Sequence, residues 1–279
     1  MEKEYIASLA TLGHAGRMAV FRLLMRRYPQ AVRAGDLAAA LSLKPSTLSM
    51  YLSALQNAGL VAQQREGTAR LYRARMDRAE ALIDFLFADC CRARPQLCAP
   101  PLPLSEKETQ EMPIEKYNVL FICTGNSARS IFAESILRGI AGDRFTVYSA
   151  GTKPYSELNP IAIETLKDKG YDVSGLRAKN VNAFRGPDAP RLDFVFTVCD
   201  QAANEECPPW EGQPITGHWG VPDPVKAEGT EAEKRLAFQH AYGQLKNRIT
   251  AFAALPLATL DRVGLQSAVD HIADDMETA

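Results

Sequence analysis

The chain has 279 residues, 46% hydrophobic and 23% charged, with a formal net charge of −1. That length suits two ordinary domains, that composition suits a soluble globular protein, and no apolar run reaches the ~18 residues a membrane span needs. Six cysteines in so long a chain do not make a disulfide scaffold, and "MEKEYIASLA" lacks the apolar core of a signal peptide, so a reducing cytoplasm is the expected location.

The charge is unevenly spread. Residues 1–98 hold 14 Lys+Arg against 8 Asp+Glu, a balance of +6, while the remainder holds 18 against 25, a balance of −7. A basic first third points to a nucleic-acid partner for that part alone.

In chain order, "ATLGHAGRMAVFRLLMRRYP" sets Met18, Val20, Phe21, Leu23 and Leu24 at helical spacing and predicts a helix ending near Pro29. "GDLAAALSL" predicts a short helix. "KPSTLSMYLSALQNAGLV" predicts another, with Ser46 or its neighbour as cap and Gly59 as stop. "GLVAQQRE" and "ARLYRARM", parted by Gly67 and Thr68, predict a β-hairpin, and "DRAEALIDFLFADCC" a closing helix. This order is that of a mostly α winged helix-turn-helix. Its second helix, Pro45 to Ala58, would turn Leu48, Leu52 and Leu55 inward and offer Ser46, Thr47, Ser49, Met50 and Tyr51 to a major groove. Arg65, Arg70 and Arg73 of the wing suit phosphates or a minor groove.

The stretches "LSLKPSTLSMYLSALQNAGLV" and "REGTARLYRA" resemble the ArsR/SmtB-type family of dimeric metal- and metalloid-responsive repressors, over residues 5–91. The resemblance implies operator DNA as a partner and a homodimer built from the first and last helices, with "ALIDFLF" on the dimer face. Many arsenic sensors of that family carry paired cysteines beside the helix before the recognition helix. Here "AVRAGDLAAAL" has none, which excludes sensing there. Three cysteines stand instead at the end of the module: Cys90, Cys91 and, beyond Pro95, Cys98. Arsenite is a soft centre that takes three thiolates in a pyramid. The cluster also resembles the sensor site that some ArsR-type repressors carry at their C-terminal end, making arsenite the expected inducer. Zinc fits less well, since no fourth protein ligand lies nearby.

"PQLCAPPLPLSEKETQEMPIEK" has five prolines and predicts an extended linker. The expected domains are thus a DNA-binding and arsenite-sensing module at 1–94, a linker at 95–116 and a second domain at 117–279. In the last, "YNVLFIC", "RFTVYSAG", "LDFVFTVCD" and "PITGHW" read as strands. "SIFAESILRGIAG", "NPIAIETLKDKG" and "EAEKRLAFQHAYGQLKNRITAFAAL" read as helices. That alternation predicts an α/β domain with a four-stranded parallel sheet, its ligand beyond the carboxyl ends of the strands.

The most specific stretch is "VLFICTGNSARSIFAES", which places Cys123 and Arg129 at Cys-x5-Arg spacing between a buried strand and a helix. The loop of Thr124, Gly125, Asn126, Ser127 and Ala128, closed by Arg129 and Ser130, would turn backbone N–H groups and a guanidinium fork onto a tetrahedral oxyanion. The same field should favour thiolate at Cys123, with Ser130 adding a hydrogen bond. Asp223 in "HWGVPDPV" is the candidate acid for the leaving oxygen. His218 reads as structural, and His14, His240 and His271 are given no role.

"CTGNSARS", "TVCDQAANEECP" and "HWGVPDP" resemble the low-molecular-weight tyrosine phosphatase fold, and more closely its arsenate reductase branch, from Asn118 to the C-terminus. Phosphatases that accept tyrosine follow the acid with aromatic residues; here Pro224, Val225 and Lys226 follow. Cys199 and Cys207 flank a polar loop, where hydrolysis needs neither. The resemblance implies arsenate as substrate, a relay from Cys123 through Cys199 to Cys207, and an external thiol reductant, thioredoxin or glutathione/glutaredoxin, with no tightly bound cofactor. Two features depart from thioredoxin-coupled members: the Cys199–Cys207 spacing is one residue longer, and Ala128 replaces a cysteine. The whole chain then reads as an arsenite-responsive repressor fused to an arsenate reductase. The alternatives are a regulator with a phosphatase-like anion sensor, and a protein-tyrosine phosphatase fused to a DNA-binding domain.

Overall fold

The computed structural model describes residues 2–86, 116–186, 188–205, 210, 212–260 and 262–274. The proline-rich stretch 95–115, with Cys90, Cys91, Cys98 and Cys207, lies outside the described residues. The chain divides into two units, Met1–Ile114 and Glu115–Ala279.

The first unit runs α1 (Glu2–Leu12), α2 (Ala15–Arg27), β1 (Val32–Arg33), α3 (Ala34–Ala40), α4 (Pro45–Asn57), β2 (Val61–Glu66), β3 (Ala69–Ala74) and α5 (Met76–Phe85). The single helix expected over residues 10–29 is in fact two. His14 takes an extended backbone and its Nδ1 accepts the Gly16 amide at 3.1 Å, so the imidazole caps α2 and ends the run from α1. At the start of α4 the expected serine cap is absent: Lys44 holds the cap position without a side-chain bond, and Pro45, with φ preset, opens the first turn. The other end is as Gly59 predicts. Its φ of 73° lets its amide reach Gln56 O at 2.9 Å and the Leu60 amide reach Leu55 O at 3.0 Å, closing the helix.

Leu48, Leu52 and Leu55 of α4 are buried against Val20, Leu23 and Leu24 of α2 and against Leu37, Val61 and Tyr72. Each such leucine contributes about 1.5–3 kcal/mol on burial. The hairpin turns at Gly67 and Thr68, and β3 pairs antiparallel with both β2 and the two-residue β1, which is too short to show as a pattern in sequence.

The second unit runs β4 (Tyr117–Cys123), α6 (Arg129–Ala141), β5 (Phe145–Gly151), α7 (Pro160–Asp168), a 3-10 turn (Val181–Phe184), β6 (Phe194–Thr197), α8 (Asp200–Asn204), β7 (Ile215–His218), a second 3-10 turn (Pro224–Lys226), α9 (Glu231–Ala253) and α10 (Arg262–Asp274). The four strands are parallel in the order β5-β4-β6-β7. The chain leaves β4 to one side for β5 and returns to its other side for β6, so the crevice of the sheet opens at the end of β4. α7 starts at an Asn159 cap with Pro160 in its first turn, and α9 at a reciprocal Thr230–Glu233 capping box.

Helix α10 was not anticipated, and edge-strand chemistry explains it. β7 ends the sheet with unpaired backbone groups, and the Gln266 amide of α10 completes them: Nε2 donates to Thr216 O at 2.7 Å and Oε1 accepts from Thr216 N at 3.4 Å. Beneath the sheet Trp219 stacks on Phe196 at 3.9 Å, and Phe252 of α9 packs edge-on against Phe194, Phe196 and Trp219. Phe252→Ala should therefore cost the second unit about 3–5 kcal/mol. Both tryptophans, Trp210 and Trp219, lie in this unit, so urea unfolding of the full chain followed by tryptophan fluorescence reads that loss directly.

Candidate active site and DNA-facing surface

Three carbonyls of the loop after β4 face outward. Thr124 O, Gly125 O and Ser127 O accept from the amides of Lys153, Tyr155 and Asn159 at 2.9, 2.9 and 3.0 Å. A peptide N–H points opposite its C=O, so the following amides turn inward, and the Asn126 amide donates to Cys123 Sγ at 3.2 Å. Asn126 is the keystone, fully buried with a φ of 44°. Its Nδ2 donates to Ser130 Oγ and to Ser149 Oγ, each at 2.9 Å, and its Oδ1 accepts from Lys179 N at 2.7 Å. Ser130 Oγ lies 3.0 Å from Cys123 Sγ. Ala128 holds the cap position of α6, whose first residue is Arg129.

The structure brings Arg129, Asp223 and Cys199 to this loop. Arg129 Nη1 donates to Val221 O at 3.2 Å and Nη2 pairs with Asp223 Oδ2 at 2.8 Å, while Asp223 Oδ1 accepts from Val225 N. Parallel pairing of Ile122 with Thr197 places Cys199 beside the first loop residues, and its Sγ is 3.4 Å from Thr124 Oγ1. Cys199 is buried and also accepts from Ala202 N as the cap of α8. Tyr155 lays an exposed ring over Gly125.

One expectation about this site needs correcting. Burial pushes the Cys123 thiol above its ordinary value, the nearby Cys199 adds to the push, and Ser130 and Arg129 pull against it. Cys123 is only 3% exposed, so desolvation of the thiolate outweighs the loop field that was expected to favour it.

On the first unit, Ser46, Ser49 and Met50 of α4 are exposed and Thr47 is half-buried. Tyr51 is half-buried: its ring lies 5.1 Å from that of His14 and covers Gly16. Arg65, Arg70 and Arg73 of the wing are exposed. Arg65 and Arg70 stand opposite each other across the hairpin, a like-charge pairing that costs stability. Among the described residues no three His, Cys, Asp or Glu side chains are grouped to hold a metal ion.

Residues 118–264 match the model of the low molecular weight phosphotyrosine protein phosphatases. The chain belongs to that family. Residues 16–63 match the bacterial regulatory proteins of the arsR family, so this phosphatase-family chain is a fusion with an ArsR-type helix-turn-helix. An arsenate reductase of Bacillus licheniformis is 38% identical over 141 residues, which is 50% of this chain and 97% of the relative. One from Bacillus subtilis is 37% identical over 140 residues, again 50% and 97%. A solved arsenate reductase in its phosphate-binding state is 27% identical, with 50% and 97% covered and a TM-score of 0.40.

Sequence reasoning missed the support behind this phosphatase-family loop. Ser149 on β5 donates to Glu134 on α6, whose carboxylate also meets Lys179 Nζ at 3.2 Å and Arg138. The signal was there: Ser149 and Glu134 are polar residues inside otherwise apolar runs, and both are buried. Cys123 provides the test of the site. Thiolate is the nucleophile, so iodoacetamide labelling of Cys123 should rise with pH through a midpoint above the ordinary thiol value. Ser130→Ala removes a group that lowers the pKa and should move that midpoint further up, as read by peptide mass spectrometry across a pH series.

Proposed function

We propose that the second unit reduces arsenate to arsenite and that the first is an arsenite-responsive repressor of DNA. The observation that carries the reductase reading is the second buried thiol, Cys199, set against the oxyanion loop at Thr124. Hydrolysis has no use for it, and the arsenate reductases of two Bacillus species align along nearly their full length.

In the proposed cycle the loop amides and Arg129 hold arsenate, and Asp223 yields its guanidinium partner to the oxyanion. Cys123 Sγ displaces one arsenate oxygen, which leaves as water with a proton from Asp223; the thiol proton restores the acid. The thiolate of Cys199 then attacks Cys123 Sγ. The S–As bond breaks with its electron pair left on arsenic, so arsenic falls from V to III, a Cys123–Cys199 disulfide forms and arsenite departs. Cys207 attacks Cys199 next, freeing Cys123 as thiol and leaving a Cys199–Cys207 disulfide. Thioredoxin or glutathione with glutaredoxin supplies the two electrons and two protons that reset it. No described helix is long and apolar enough to cross a membrane. We place the chain in the cytoplasm, where such reductants work.

For the first unit the reading rests on the ArsR-family match and the exposed arginine wing. Tyr5 of α1 stacks on Phe85 of α5 at 4.6 Å, and Ile6, Leu9 and Ile83 on the same two helices are exposed, which supports a homodimer through them. Cys90, Cys91 and Cys98 remain the proposed arsenite site.

Purified full-length protein should reduce arsenate with thioredoxin or with glutathione/glutaredoxin, and Cys123→Ser should abolish turnover. Aryl phosphate hydrolysis without arsenate reduction would overturn the reading. Cys207→Ser should stall a thioredoxin relay after one turnover but let a glutathione-capped route continue. Arsenite should release the protein from operator DNA in a mobility-shift titration, and Cys90→Ser should retain the DNA under the same arsenite. Release that survives Cys90→Ser removes the sensor assignment.

A further inference from the structure

His218 closes β7 and is almost wholly buried, yet both ring nitrogens are engaged in a way that packing alone does not require. Parallel pairing sets it opposite Thr197, whose hydroxyl lies 2.8 Å from Nδ1. Nε2 lies 3.2 Å from Asp200 Oδ1. A neutral ring with its proton on Nε2 satisfies both contacts: it accepts from Thr197 and donates to the carboxylate. The Asp200 side chain is 62% exposed, so a surface carboxylate reaches inward to meet a buried imidazole. Gly220 makes the meeting possible, because a Cβ there would lie 2.7 Å from Asp200 Oδ1 and 2.8 Å from His218 Nε2.

Asp200 is the first residue of α8, directly after Cys199. This five-residue helix is too short to hold itself, and its cap is the Cys199 sulfur, a weak acceptor, at 3.4 Å from Ala202 N. The cap is lost whenever Cys199 reacts. We propose that His218, acting through Asp200, is a positioning residue for Cys199: the clamped imidazole anchors the start of α8 and keeps the thiol buried against Thr124, within reach of Cys123. Its use in turnover rests on the reductase reading, where Cys199 must first meet Cys123 and later swing to Cys207. An anchor at Asp200 serves the first of these steps, holding the turn in place while Cys199 meets Cys123.

The test is the rate at which iodoacetamide labels Cys199 in the reduced full-length chain, read by peptide mass spectrometry. Asp200→Ala should raise that rate at least about tenfold while Cys123 labelling stays within about twofold, because only the local opening of α8 becomes easier. Asp200→Asn has no charge but keeps an acceptor for Nε2–H, and should stay within about threefold of the wild type. Equal acceleration by Asn and Ala would assign the effect to lost charge beside a thiol and overturn the proposal, as would no acceleration by either. The labelling needs no arsenate. A chain that shows this pattern but reduces no arsenate keeps the anchor and loses only the reductase reading.

Discussion

Asn126 is the residue on which the geometry of the loop after β4 depends. Its amide reaches Cys123 Sγ, its Nδ2 ties Ser130 on α6 to Ser149 on β5, and its Oδ1 holds the Lys179 segment. A left-handed backbone is costly for most side chains, and asparagine is among the few that tolerate it. The loop can therefore wrap its amides inward without glycine at its tightest point. Behind it the buried Glu134 carboxylate is compensated by Lys179 and Arg138 together and accepts from Ser149. The loop is thus fixed from two sides, by hydrogen bonds in front and by compensated charge behind.

Topology decides what that loop can meet. Because strand order reverses at β4, the ends of β4, β5 and β6 converge, and each brings one participant: Cys123, the Thr152–Asn159 segment that holds the loop carbonyls, and Cys199. The last strand sends its own connection back over the site with Asp223 on it, pinned by Arg129 and, at Gly220 O, by Arg248 of α9. Two thiols and an acid converge although nearly a hundred residues separate Cys123 from Asp223. In the first unit a comparable economy operates in reverse. The wing keeps two arginines face to face, a small loss of stability.

Much of this was legible in the sequence, and the failures have identifiable causes. The strands of the sheet, the helix from Pro45 and the Cys123–Arg129 loop announce themselves through alternation, apolar spacing and a short motif between them. The break at Gly13 and His14 did not, because a histidine cap leaves the apolar pattern of α1 and α2 uninterrupted. Helix α10 was missed because its task, completing the edge of β7 with Gln266, is tertiary and leaves no local signature. The thiolate expected at Cys123 failed for a related reason: a motif records which groups surround a thiol, but not how completely the fold removes it from water. His218 read as structural, and it is buried with Thr197 and Asp200 at its two ring nitrogens, partners that the sequence does not show.

What joins these observations in the proposed cycle is the attack of Cys199 on Cys123, two cysteines at the ends of neighbouring strands, which leaves the electron pair of the S–As bond on arsenic. Full-length Cys207→Ser protein, fully reduced, exposed once to arsenate and quenched in acid, isolates that attack. Non-reducing peptide mass spectrometry should then show Cys123 joined to Cys199, with one arsenite released per chain. A Cys199 that stays a free thiol while arsenite accumulates would contradict it.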